Sequence, residues 1–251
     1  MIKAAINGIN GKMGKVLTEA LINEENAILV CGFDIAKKPD CECDVYTNYD
    51  DCTDDIDVII DFSHPSQIKG LTEYAVKRKI PLVIATTGLS EEEKGYMIKA
   101  SETIPVFNSA NMTLGVNLII ELVKNAAKLL YPDFDVEIIE KHHNLKIDAP
   151  SGTALMIADE LNETLDNKMS YTYDRHSQRK KREKKEIGMH AIRGGTIVGE
   201  HEVIFAGKDE VISIKHEAHS KAVFATGAIR AAFFIKDNAP GLYSMKDLLQ
   251  F

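Results

Sequence analysis

Ala5-Ile6-Asn7-Gly8-Ile9-Asn10-Gly11-Lys12-Met13-Gly14-Lys15 is the stretch whose reading decides the fold. It links an apolar run, Ile2–Asn7, that reads as a strand to an amphipathic run, Met13–Leu21, that reads as a helix. Gly8, Gly11 and Gly14 set the spacing G-x-x-G-x-x-G, a variant of the dinucleotide fingerprint. Glycine here permits a tight turn, lets the main chain approach a pyrophosphate, and lets the helix pack closely on its strand. Glycines at a strand end are often turn residues and nothing more, so the context carries the reading. A second strand, Ile28–Asp34, ends on a carboxylate twenty residues after Gly14, where such folds accept ribose hydroxyls. Asp34 favours the free 2′-hydroxyl of NAD, because its charge repels the 2′-phosphate of NADP. Lys37 and Lys38 follow closely and Lys12 lies in the turn, so use of NADH, NADPH or both is expected, with NADH at least as good.

Outward from this turn the pattern alternates. Val58–Phe62 is a strand, Ser66–Lys77 a helix, Pro81–Ala85 a strand, Glu91–Ala100 a helix and Thr103–Phe107 a short strand. A long helical pattern runs from Met112 to Leu130 and stops at Tyr131-Pro132. Such alternation predicts an α/β domain, a Rossmann-like parallel sheet covered on both faces. The rhythm then changes to three strand-like runs without helices between them: Ile187–Ile192, Gly199–Phe205 and Val211–His216. That predicts an α+β domain with an open mixed sheet. A helix at about Ser220–Ile235 and a short tail return to the first domain. The expected division is a dinucleotide-binding domain, 1–112 with 219–251, and a substrate-binding and oligomerisation domain, 113–218.

Composition narrows the function. The 251 residues are 45% hydrophobic, enough for a real core. A net charge of −8 argues against general nucleic-acid binding. No stretch is apolar and long enough for a membrane span, and no signal peptide precedes the first strand, so a cytoplasmic location is expected. Cys31, Cys41, Cys43 and Cys52 then read as reduced thiols, because Cys-x-Cys with such wide outer gaps is not a zinc-finger spacing. No metal is expected.

The chemistry concentrates in Glu137-Ile-Ile-Glu140-Lys141-His142-His143-Asn144-Leu145-Lys146-Ile147-Asp148-Ala149-Pro150-Ser151-Gly152-Thr153-Ala154. Phe134, Val136 and Ile138 alternate into it as a strand, and Leu155, Ile157, Ala158 and Leu161 lead out as a helix opening at Ser151-Gly152-Thr153. A helix N-terminus suits an anion, Lys146 adds charge, and the histidines move protons near neutral pH. Neighbouring strand residues point to opposite faces, so His142 and His143 do not share a metal. The bland alternative is two hydrogen-bonded structural histidines.

The run His-His-x-x-Lys-x-Asp-Ala-Pro-Ser-Gly-Thr-Ala closely resembles the signature of the dihydrodipicolinate reductase family. The resemblance covers essentially the whole chain. It implies NAD(P)H-dependent reduction of 4-hydroxy-tetrahydrodipicolinate in lysine and diaminopimelate biosynthesis, on a cyclic dicarboxylate substrate. It implies His142 as general acid with Lys146 catalytic, and substrate contacts at His143, Ser151, Gly152 and Thr153. Cofactor contacts are implied at Gly8, Gly11, Lys12, Met13, Gly14 and Asp34. Phe62, Thr86 and Gly88 join them from two strand-end loops, and Ser109, Asn111 and Met112 from the loop at the domain junction. NADP-using relatives often carry Arg just after the acidic position; this chain has Ile35. The resemblance also implies a homotetramer assembled through the second domain's sheet, and places the second domain crossing by Arg230. The apolar residues Ile197, Val203, Phe205, Val211, Ile212 and Ile214 read as more than one small domain covers.

Two other readings compete. Another two-domain nicotinamide-dependent amino-acid dehydrogenase would lack the His-His-x-x-Lys run. A non-catalytic dinucleotide sensor would lose the acid and the lysine. The basic run 175–185 reads either as a solvated loop or as a lid that attracts dicarboxylate and phosphate.

Overall fold

The computed structural model describes residues 1–37 and 43–250. Lys38 and Cys41, both named above, lie outside them. The chain forms two compact units, Met1–Thr113 with Lys221–Phe251, and Leu114–Ser220.

The first unit runs β1 (Ile2–Asn7), α1 (Lys12–Ile22), β2 (Ala27–Phe33), β3 (Asp44–Tyr46), β4 (Val58–Asp61), α2 (Ile68–Arg78), β5 (Leu82–Ile84), α3 (Glu91–Ser101) and β6 (Pro105–Asn108). The second holds α4 (Leu114–Leu130), β7 (Asp135–His142), α5 (Gly152–Thr164), β8 (Ser170–Thr172), β9 (Glu186–Arg193), β10 (Gly199–Ala206) and β11 (Val211–Ala218). The chain then returns to the first through α6 (Ala222–Ile235), β12 (Gly241–Tyr243) and α7 (Met245–Leu249).

The first sheet is the expected parallel one, seven strands in the order β12-β6-β5-β4-β1-β2-β3. Its middle strands are buried on both faces: Val58, Ile59, Ile60, Leu82, Val83 and Ile84 are all closed to solvent. The reversal of strand order beside β1 opens a crevice at the carboxyl ends of the strands.

Several details differ from the sequence reading. The helix expected from Met112 starts at Leu114, because the Asn111 side chain takes the Thr113 N–H and hydroxyl and holds a turn ahead of it. Ser66 sits in a short 3-10 turn begun by Pro65, and α2 proper starts at Ile68. The presumed tail contains β12 and α7, the latter opened by a Ser244–Asp247 capping box. The three-residue strands β3 and β8 are too short for periodicity to show. Arg230 stands inside α6, well past the unit boundary at Ser220 and Lys221.

The second sheet is mixed, as expected, in the order β11-β10-β7-β9-β8. The three late strands do not sit side by side. β7 inserts between β9, to which it runs parallel, and β10, to which it runs antiparallel. α4 and α5 cover one face through Val116, Ile119, Ile120, Val123, Ile157 and Leu161. Val203 and Phe205 are fully buried under these helices, so they do not belong to an uncovered face. Alternation along β7 puts both on the face of Val136 and Ile138, with which they pair. Val211 and Ile212 remain exposed.

Candidate active site

In the first unit the Gly-rich turn is held by main-chain bonds. Gly8 donates to the Phe33 carbonyl at the end of β2, and Gly11 donates to the Gly8 carbonyl. Gly8 has φ +82°, and a Cβ there would stand 2.8 Å from the Phe62 carbonyl oxygen, so only glycine fits. Gly11 occupies the N-cap of α1 and brings no side chain to cap it. The first-turn N–H groups, starting at Lys12 and Met13, therefore suit a phosphate. Gly14 is buried in that turn and Lys12 is exposed.

The Asp34 carboxylate accepts the Asn10 N–H at 2.9 Å and its neighbour Ile35's N–H at 2.8 Å. Two bonds leave lone pairs for a ribose diol. These groups line a cavity of about 600 Å³ with Phe33, Tyr46, Tyr49 and Phe62. The fixed turn, the uncapped helix, the held carboxylate and the aromatic wall fit a dinucleotide. Ile35 is exposed at its edge.

The other expected cofactor residues divide. Gly88 is exposed with φ +75°. The Thr86 hydroxyl is committed, donating to the buried Asp61 carboxylate at 2.7 Å. Burial pushes the Asp61 pKa up against bonds from Ser63, Thr86 and Asn7, so Asp61 ties the ends of β1, β4 and β5 together beneath the crevice. The Ser109 hydroxyl donates to the Asn111 carbonyl, and Met112 is buried.

In the second unit the inward positions of β7 read Val136, Ile138, Glu140, His142. The first two are core. The last two continue the same face as polar groups, which a buried strand tolerates only if they are paired. His142 Nδ1 lies 2.6 Å from Glu140 Oε2. Glu140, 1% exposed, also accepts the Ser151 N–H at 3.0 Å and two bonds of 2.7 Å from the Arg193 guanidinium. Burial opposes its charge, but Arg193 and His142 outweigh burial and hold the carboxyl below its usual range. For His142 burial wins: it lowers the imidazole pKa against the pull of Glu140.

Sheet register explains the assembly. β9 runs beside β7 so that Arg193 pairs with His142, and β10 runs beside it so that His201 pairs with Glu140. Gly199, at the start of β10, leaves room for the other edge of the histidine; a Cβ there would stand 3.1 Å from His142 Nε2.

Beyond β7 the loop carries Lys146, which pairs with Asp148 at 2.8 Å. Ser151 caps α5, its hydroxyl accepting the Ala154 N–H at 3.2 Å and lying 3.0 Å from His201 Nε2. Ser151 itself is buried, whereas Gly152 is exposed and Thr153 half-exposed at the helix start. His143 is half-buried and Leu145 and Ile147 are exposed. Sequence reasoning gives no role to Glu140, Arg193, Gly199 or His201. Glu140 shows a local signal, a charge at an inward strand position. The other three are signalled only by pairing order, which the sequence does not display.

Two side issues raised by the sequence, the basic run and the cysteines, can be followed in the structure. Arg175 and Arg182 are pinned to Glu137, Asp135 and Glu186, and Arg182 also donates to three main-chain carbonyls. These two arginines staple the chain ahead of β9 to the sheet, so their charges are paired with sheet carboxylates rather than free for a lid. Cys31, Cys43 and Cys52 are free thiols, and Cys31 and Cys52 touch at 3.8 Å. Burial pushes the Cys31 thiol up, which suits a packed thiol rather than a reactive one.

Comparison with known proteins follows this division. Residues 2–112 match the family model of the dihydrodipicolinate reductase N-terminus, and residues 115–249 match that of its C-terminus. A 4-hydroxy-tetrahydrodipicolinate reductase of Caldanaerobacter subterraneus is 52% identical over 250 residues, covering 100% of this chain and 99% of that protein. One from Clostridium tetani is 46% identical over 249 residues, covering 99% and 97%. Among solved structures, a dipicolinate-bound dihydrodipicolinate reductase from Paenisporosarcina superposes with TM-score 0.82 at 24% identity, over 98% of each chain. A DAP dehydrogenase of C. glutamicum shares the fold more loosely, with TM-score 0.58 at 16% identity over 97% of this chain and 92% of that one. At these identities the two structures speak to fold alone.

Proposed function

The chain belongs to the dihydrodipicolinate reductase family, and we propose how its residues divide the NAD(P)H-dependent reduction of 4-hydroxy-tetrahydrodipicolinate to tetrahydrodipicolinate. The observation that carries the proposal is the 2.6 Å contact of His142 Nδ1 with Glu140, beside a helix start and a lysine.

NAD(P)H supplies the hydride, delivered to the ring carbon that has lost its hydroxyl. Gly8, Gly11, Lys12, Met13 and Gly14 seat the pyrophosphate, and Asp34 takes the adenosine ribose. Phe62, Thr86, Gly88, Ser109, Asn111 and Met112 shape the nicotinamide side. NADH is used at least as well as NADPH, since Asp34 disfavours a 2′-phosphate and Ile35 offers no charge to it.

His142 gives a proton from Nε2 to the neighbouring ring carbon, which balances the hydride. Glu140 fixes the ring and supports the positive charge on it. In the free protein burial lowers the His142 pKa against the pull of Glu140, and the arriving dianion raises its affinity for the proton. Lys146 leaves Asp148 for a substrate carboxylate and stabilises developing negative charge. His143 and the Ser151-Gly152-Thr153 turn hold the dicarboxylate, Gly152 and Thr153 from the exposed edge and Ser151 from beneath.

The sheet face opposite α4 and α5 is covered by no helix of its unit, which supports assembly through that face into a homotetramer. Light scattering that returned the monomer mass would reject it. Among the described residues no helix is long and apolar enough to cross a membrane. The free thiols accord with a cytoplasmic enzyme.

The test is oxidation of NADH or NADPH by the purified protein, with substrate made freshly from pyruvate and aspartate semialdehyde. Turnover at catalytic enzyme concentration supports the activity; none with either cofactor contradicts it.

A further inference from the structure

His201 is a buried histidine that the mechanism above does not use. It lies 4% exposed on β10, and its two edges touch two functional groups. Its Nε2 stands 3.0 Å from the Ser151 hydroxyl, and its ring meets the His142 ring edge to face with centroids 5.2 Å apart. Nδ1 is buried without a partner. A buried, half-satisfied imidazole is costly, and burial pushes its pKa down to about 4, so it stays neutral. An apolar residue would fill the same space without these costs.

Ser151 is held from three directions. Its N–H goes to Glu140, its hydroxyl takes the Ala154 N–H, and the same hydroxyl meets His201. Glu140 and His201 are cross-strand partners in one register, so the strand pair that holds the acid also holds the cap of α5.

We propose that His201 is a positioning residue that fixes the carboxylate-binding turn at Ser151-Gly152-Thr153 through Ser151, while its ring buttresses His142. The inference rests on the reading that this turn receives a substrate carboxylate. The nitrogen serves binding and the ring serves chemistry, so the two are separable.

His201→Phe keeps a ring against His142 and removes the bond to Ser151. KM for the dicarboxylate substrate should rise about ten-fold, the loss of one buried hydrogen bond, with kcat within about two-fold. His201→Gln keeps a polar atom near the Nε2 position and removes the ring, so it should do the reverse, lowering kcat more than it raises KM. In a Ser151→Ala background His201→Phe should add less than about two-fold to KM, because both changes break one contact. NADH affinity and the thermal midpoint report folding. If His201→Phe does not fold, His201→Asn is compared with His201→Gln: both lack the ring, and only Asn, whose amide stops short at the Nδ1 position, lacks the contact with Ser151, so it should show the higher KM.

The opposite KM and kcat signatures with a non-additive cycle are the expected result. Equal signatures for the two variants, additivity with Ser151→Ala, or an unchanged KM in His201→Phe would each overturn the inference. Ser151→Ala separates the two levels. If it raises KM while His201→Phe does not, only the role of His201 fails. If Ser151→Ala leaves KM unchanged, the binding role of the turn fails, and the inference with it.

Discussion

The crevice of the first unit, the proposed cofactor site, offers polar groups that are mostly main chain at its Gly-rich turn. N–H groups of the Gly8–Gly14 turn and the open end of α1 stand there beside the Asp34 carboxylate. The polar site of the second unit is made of side chains from three strands and a helix start: Glu140 and His142 on β7, Arg193 on β9, His201 on β10 and Ser151 before α5. A main-chain site needs space and tolerates most side-chain changes nearby. A side-chain site is a mutually satisfied network, and single losses propagate through it. Removing Arg193 would leave the buried Glu140 carboxylate with only His142 and the Ser151 N–H to satisfy it, a loss that propagates to both.

The largest expected effect lies in the side-chain site. His142→Gln should lower kcat by roughly 10² or more with NADH affinity nearly intact, as removal of a proton donor does. An unchanged kcat, measured at saturating substrate, would take His142 out of the chemistry. Lys146→Ala should come next, harming kcat and KM together, because the charge that holds a carboxylate also serves the transition state. A pure KM effect would reduce Lys146 to a binding role.

Smaller effects test the crevice. Asp34→Ala should weaken NADH by about ten-fold and NADPH by less, the loss of charged acceptor bonds to one ribose diol. Equal weakening, read by fluorescence titration, would remove the ribose assignment. The smallest effect should come from Gly199→Ala. Its methyl would press on His142 Nε2, so kcat should fall by about two- to five-fold, the scale of a few tenths of an ångström of forced adjustment. Full activity would mean that His142 has room to give.

The contrast also explains what the sequence showed. The Gly8–Gly14 turn and Asp34 were legible because their elements follow one another in the chain. Along β7 the alternation was equally plain, and Ser151 was legible at the start of α5. What stayed hidden was the neighbour relation. Arg193 and His201 lie 51 and 59 residues from His142, and only the insertion of β7 between β9 and β10 brings them to it. The apolar count misled for the same reason: Val203 and Phe205 look surplus in a list of strands, yet the register places them under α4 and α5. The charges of 175–185 looked free because their acidic partners Asp135 and Glu137 sit on another strand.

The account's central claim is that Glu140 makes His142 an acid, and the pH dependence of kcat/KM in Glu140→Gln tests it most directly. Activity that needs protonated His142 is lost as pH rises through its pKa. Glu140 raises that pKa against burial, so its neutral isostere should lower it further. The falling alkaline limb should therefore move to lower pH than in the unsubstituted enzyme, with activity partly recovered on acidification and NADH affinity unchanged. A limb that stays in place, or moves to higher pH, would contradict the claim.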